Sequence, residues 1–135
     1  MNDIKLMNKA ADNIRILAAS MVEKAKSGHP GGAMGGADFV NVLFSEFLVY
    51  DPKNPAWEGR DRYFQDPGHM SPMLYSVLAL AGKFTIDELK EFRQWGSVTP
   101  GHPEVNVMRG IENTSGPLGQ GHTYAVGAAI AAKFL

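Results

Sequence analysis

Apolar positions Ile14, Leu17, Ala18, Met21, Val22 and Ala25 recur at steps of three and four. This spacing predicts a helix with one hydrophobic stripe running to about Lys26, with Gly28 as its stop. Beyond the glycine-rich stretch Gly28 to Gly36, Val40, Leu43, Phe44, Phe47 and Leu48 repeat the pattern, and Asp51-Pro52 ends it. Pro52 to Asp61 reads as loop. The aromatic run Arg62-Tyr63-Phe64-Gln65 predicts a short strand feeding the turn Asp66-Pro67-Gly68. Met73, Leu74, Val77, Leu78 and Ala81 predict an amphipathic helix, with Pro72 near its start and Gly82 past its end. Thr85 with Glu88 three residues on is a capping-box signature for a short helix. Ser97 to Gly121 is loop-like, dense in Gly and Pro, and long enough to be expected to carry function. In the last segment Gly121, Ala125, Ala128 or Ala129, and Ala132 place small residues about four apart, so a neighbouring backbone can approach closely. The pattern is still running at Lys133-Phe134-Leu135, so a longer parent chain is expected.

Composition narrows the classes. A chain of 135 residues that is 44% hydrophobic and 20% charged fits one globular domain or part of one. Its net charge of -1, with Lys and Arg dispersed, offers no basic stripe, so no nucleic-acid partner is expected. Cysteine is absent, which removes disulfide scaffolds and thiolate zinc sites. The first helical stretch carries Asp3, Asp12 and Glu23, unlike the core of a signal peptide, and no apolar run reaches membrane-spanning length. The expectation is a cytoplasmic protein with no membrane partner.

All four histidines follow a glycine: His29, His69, His102 and His122. Glycine lets backbone N–H groups approach a ligand, and imidazole can take and return a proton near neutral pH. The histidines lie tens of residues apart without i, i+4 pairing, which is not metal-site spacing. Gly116-Pro117-Leu118-Gly119-Gln120-Gly121 is similar to a phosphate-cradling loop but lacks the Lys-Ser/Thr ending of a P-loop. Glu104 and Glu112 read first as solvated loop carboxylates, Arg60-Asp61-Arg62 as an exposed charged turn, and Met70 to Met73 as core filler.

Four motifs become specific as an ordered set: Ser27-Gly28-His29-Pro30-Gly31-Gly32; Asp61-Arg62 leading to Gly68-His69; Thr99-Pro100-Gly101-His102-Pro103-Glu104; and Thr114-Ser115-Gly116-Pro117-Leu118-Gly119-Gln120-Gly121. Together they resemble the transketolase family over nearly the whole chain. The resemblance implies an α/β thiamine-diphosphate-binding fold, truncated, mostly helical in the covered part with few short strands. Residues 1–135 would be a partial N-terminal diphosphate-binding domain. By the same resemblance His29 faces the substrate and assists proton transfer at the bond broken or made. His69 lies near the diphosphate and the reacting centre, and His102 contacts the donor sugar's terminal hydroxyl. Gly116, Pro117 and Leu118 lie along the cofactor rings. The implied reaction moves a two-carbon ketol unit between sugar phosphates, with thiamine diphosphate as cofactor and Mg or Ca held by ligands beyond this chain. A homodimer is expected for the full-length parent, and no activity for the isolated piece.

The sequence departs from the family pattern at Asp66-Pro67, where Ser-Asn is more usual, and at His122, usually apolar and here read as a helix-start residue. Dihydroxyacetone synthase shares these motifs and is the nearest alternative, whereas deoxyxylulose-phosphate synthase typically differs at the third and fourth. A split enzyme and a non-catalytic helical binding module are further alternatives. Three retained family histidines argue against the latter.

Overall fold

The computed structural model describes residues 2–135. Helices dominate, and among the described residues no β-strand forms. The first helix, α1 (Ile4–Ala25), is capped by Asp3, whose side chain accepts from the Lys5 N–H at 2.8 Å. Its buried stripe of Ala11, Ile14, Ala18 and Met21 continues the predicted periodicity. The helix stops earlier than Gly28, at Lys26, which takes a left-handed conformation at φ 50°.

Within the glycine-rich stretch lies a short helix, α2 (Pro30–Gly35), with Pro30 in its first turn, where the missing N–H leaves no bond unmade. A Cβ at Gly36 would stand 2.5 Å from Met73 Sδ, and one at Gly32 3.0 Å from Met70 Cγ. The glycines therefore let α2 lie directly on Met73 of the fourth helix and on Met70 in the turn just before it. The predicted helix around Val40 to Leu48 appears as α3 (Ala37–Val42), widening into a π-turn at Leu43–Phe47.

At the centre is α4 (Ser71–Leu80), which α1, α2 and α3 all contact. Its residues Ser71 to Leu78 are all buried, so over this stretch it is enclosed on every side and not the amphipathic helix the spacing predicts; only its end, at Leu80, is exposed. Two of its hydroxyls reach outward to hold a loop: Ser71 Oγ donates to Gly101 O at 2.7 Å and Tyr75 OH to Pro100 O at 2.8 Å. Helix α5 (Ile86–Lys90) carries the predicted capping box in full, with bonds between Thr85 and Glu88 in both directions. Arg109 locks it to the long loop through Glu88 at 2.7 Å and lies 4.9 Å over the Phe84 ring.

Arg62 to Gln65 runs extended but pairs with no strand. Instead the Asn113 carboxamide exchanges two bonds with the Gln65 backbone, at 2.9 and 3.2 Å, so a side chain supplies what a neighbouring strand would. The loop from Ser97 to Gly121 is pinned by this contact, by a bridge between Asn106 and Ile111, and by Ser115 N–H on Pro103 O at 3.0 Å. Asp61 and Arg62 are exposed as expected, but Arg60 and Glu112 are not solvated: they form a bidentate pair with both side chains about nine-tenths buried. Met73 is core and Met70 packs against it, as expected. The final helix α6 (Gln120–Phe134) buries only Gly121 and leaves Val126, Ile130 and Phe134 exposed. No helix of the described residues is long and apolar enough to cross a membrane.

Candidate functional site

Three loops meet at one end of α4. His29 precedes α2 in an extended conformation, at φ -126° and ψ 99°, set by the proline that follows it. Its ring centroid lies 4.7 Å from that of His69, in the 3₁₀ turn Gly68–Met70 that leads into α4. The third imidazole comes from the loop held by Ser71 and Tyr75. A Cβ on Gly68 would stand 3.0 Å from His102 Cδ2 and 2.2 Å from Ser115 O, so only a bare backbone lets these segments approach. Partial desolvation lowers the His102 pKa below its ordinary 6.5, and the charges of Arg93, His69 and His29 lower it further. His102 therefore holds a proton less tightly than a free imidazole does.

Two open clefts adjoin at His102 and Glu104. One, of about 390 Å³, runs along Ser115, Gly116 and Pro117 to Tyr124; the other, of about 780 Å³, lies against Arg93, Trp95 and Ser27. Arg93 is held there with a left-handed backbone at φ 62°, its Nη1 donating to Ser27 Oγ at 3.0 Å. Gly116 has open space where a side chain would point, and beside it the Ser115 hydroxyl is buried without a hydrogen-bond partner. An orphaned hydroxyl next to an uncluttered backbone fits a polar group brought in by a ligand.

His29, His69 and His102 thus come together, with Gly116 and Pro117 along the adjoining cleft, while the Leu118 side chain is exposed and does not line it. His122 stands outside this group and contacts Asp66. Sequence reasoning missed Arg93, Ser115 and the Asp66 contact. Only Ser115 lay within a quoted motif.

A helical scaffold thus brings three glycine-preceded imidazoles and a glycine turn to one open site, an arrangement suited to ligand binding and proton transfer. The family described as "Transketolase, thiamine diphosphate binding domain" matches residues 6–135, and the chain belongs to it. The transketolase of Buchnera aphidicola subsp. Baizongia pistaciae is 53% identical over 131 residues, covering 96% of this chain and 20% of that protein. Transketolase 1 of Escherichia coli is also 53% identical, over 93% of this chain and 19% of its own length. Among solved structures, transketolase from Campylobacter jejuni superposes with a TM-score of 0.92 at 49% identity, covering 98% of this chain and 21% of that one. Transketolase from Leishmania mexicana gives 0.88 at 50% identity, over 93% and 19%. The chain spans about a fifth of the length of the curated relatives it matches.

Proposed function

We propose that this chain is the first part of the diphosphate-binding domain of a transketolase, which transfers a two-carbon ketol unit from a ketose phosphate to an aldose phosphate. The observation that carries this reading is the convergence of His29, His69 and His102 around Gly68, two of their rings 4.7 Å apart. When bound, thiamine diphosphate supplies the carbon nucleophile and electron sink that imidazoles lack. Gly116 and Pro117, with the Leu118 side chain beyond them, would lie along its rings, and the unpartnered Ser115 hydroxyl and His69 would face its polar portion.

The imidazoles then divide the proton work. His29, the most accessible side of the close pair, takes the proton from the substrate hydroxyl at the bond being cleaved and returns it when the new bond forms. His69, in contact with it, holds the polar side of the site. His102, its pKa lowered, accepts a hydrogen bond from the terminal hydroxyl of the donor sugar. The metal that accompanies the diphosphate would be held outside these residues, as would the partner subunit of a homodimer. The cytoplasm is the proposed compartment; relatives include bacterial and chloroplastic forms.

The test uses the full-length polypeptide that carries this segment, assayed with thiamine diphosphate and Mg. Wild type should transfer the ketol unit, and His29→Ala should lower kcat by about 100-fold or more, the usual range for a lost general acid-base group. Cofactor affinity should change by less than about threefold, well under one tenfold step. Absence of transfer by wild type, or full activity of His29→Ala, would refute the assignment.

A further inference from the structure

One carboxylate ties the loop that carries His69 to the helix that follows the glycine turn. The Asp66 side chain is 5% exposed, and its Oδ1 accepts from the Gly119 N–H at 3.2 Å. Its Oδ2 is buried without a hydrogen-bond partner among the described residues, and His122 Nδ1 stands 2.6 Å from it as an ion-pair contact. The approach is close in backbone as well: a Cβ on Gly121 would stand 2.5 Å from Asp66 Cβ and 2.8 Å from Gln65 O. The two positions at which the sequence leaves the family pattern are therefore in contact.

A carboxylate sealed from water needs compensation from donors or an opposite charge. Here one donor comes from the amide of Gly119, which has φ 87°, and the imidazole of His122, in the first turn of α6, closes over the other oxygen. The Gly119 bond fixes where the turn re-enters the helix, and hence where Gly116, Pro117 and Leu118 lie. Asp66 is three residues before His69, so one side chain sets the spacing between the turn and that imidazole.

We propose that Asp66 and His122 are positioning residues, a clasp that holds the Gly116–Leu118 turn at its binding distance from His69. This rests on the reading of that turn as a cofactor contact. Neither residue faces the reacting groups; each acts through the backbone it holds. The clasp has two separable parts, because Asp66→Asn keeps an acceptor for Gly119 but removes the charge facing His122.

The variants Asp66→Asn, His122→Ala and their double are made in the full-length polypeptide. Two readouts are taken: hydrogen exchange of the Gly119 amide without cofactor, and the Kd for thiamine diphosphate with Mg. Each single variant should speed Gly119 exchange about tenfold, the step that one lost charge-assisted contact produces. Each should also raise Kd about three- to tenfold, with the double no worse than the worse single, as expected of coupled partners. The His122 side chain is 80% exposed, so its alanine variant should still fold, which urea unfolding of each variant checks. Unchanged Gly119 exchange, or Kd effects that simply multiply in the double, would overturn the clasp. If wild type binds no thiamine diphosphate the cofactor reading fails instead, while the exchange result still decides whether the clasp exists.

Discussion

Removing one member of the Arg60–Glu112 pair should cost far more than removing both. The side chains are 10% and 9% exposed, and two bonds of 2.7 and 3.0 Å join them in parallel. Arg60 Nη1 also donates to Trp57 O at 2.7 Å, which holds the guanidinium in place when its partner is lost. With an effective dielectric near 20, unit charges at the 2.7 Å separation attract by roughly 6 kcal/mol gross. Desolvation of the two ions cancels much of that, so the intact pair contributes little net stability. The cost appears when one charge is left alone. Glu112→Gln, or Arg60→Met, should destabilise by about 3 kcal/mol, the lower edge of the range for broken buried pairs, because some water still reaches the site. The double variant Arg60→Met with Glu112→Leu should fall within about 1 kcal/mol of wild type. Urea unfolding of the four full-length proteins, extrapolated to water, measures this directly. Single variants within about 1 kcal/mol of wild type, or a double worse than either single, would refute the reasoning.

Two further outcomes follow from the packing and from the acid chemistry of α5. The hydrogen bond from Arg109, followed by that from the Thr85 N–H, lowers the Glu88 pKa from 4.5 to about 2. A depressed carboxylate contributes stability that is present above its unfolded value and lost as protons reach the folded form. The stability gap between wild type and Glu88→Gln should therefore shrink as pH falls from about 4.5 to about 2, and urea midpoints across that window check it. Gly68→Ala should destabilise by about 1–3 kcal/mol and weaken thiamine diphosphate binding, because the atom it meets at 2.2 Å is backbone and cannot swing away. Gly31→Ala in α2, where a Cβ meets nothing, should be neutral or stabilising by up to about 1 kcal/mol; equal thermal shifts for the two variants would contradict this account.

What the sequence disclosed depended on how local the cause was. The stripe of α1 and the Thr85–Glu88 box are written within a few residues of themselves, and both appear as predicted. Helix α4 was found in place but misread in kind, since periodicity cannot register that Ser71 and Tyr75 are enclosed through bonds to distant carbonyls, and Ser76 through one to the Pro72 carbonyl of its own helix. The stretch Arg62 to Gln65 has strand character, yet a strand exists only with a neighbour, and here Asn113 takes that place. Arg60 and Glu112 each looked solvent-bound because charge is a surface signal until a partner far along the chain is known. The three histidines were legible because each has a glycine before it and because the motifs stand in a fixed order. The meeting of Asp66 with His122 was not, since nothing near either residue points to the other.

The segments that bear His29, His69 and His102 come from widely separated stretches, yet each is moored to α4: one by glycines resting on its Met73 and on Met70 just before it, one as the turn that leads into it, one by its hydroxyls. Substitutions on the outer skin of the molecule, away from these segments and from His122, should therefore leave the three imidazoles in place. A small tilt of this one buried axle would put all three imidazoles out of alignment at once.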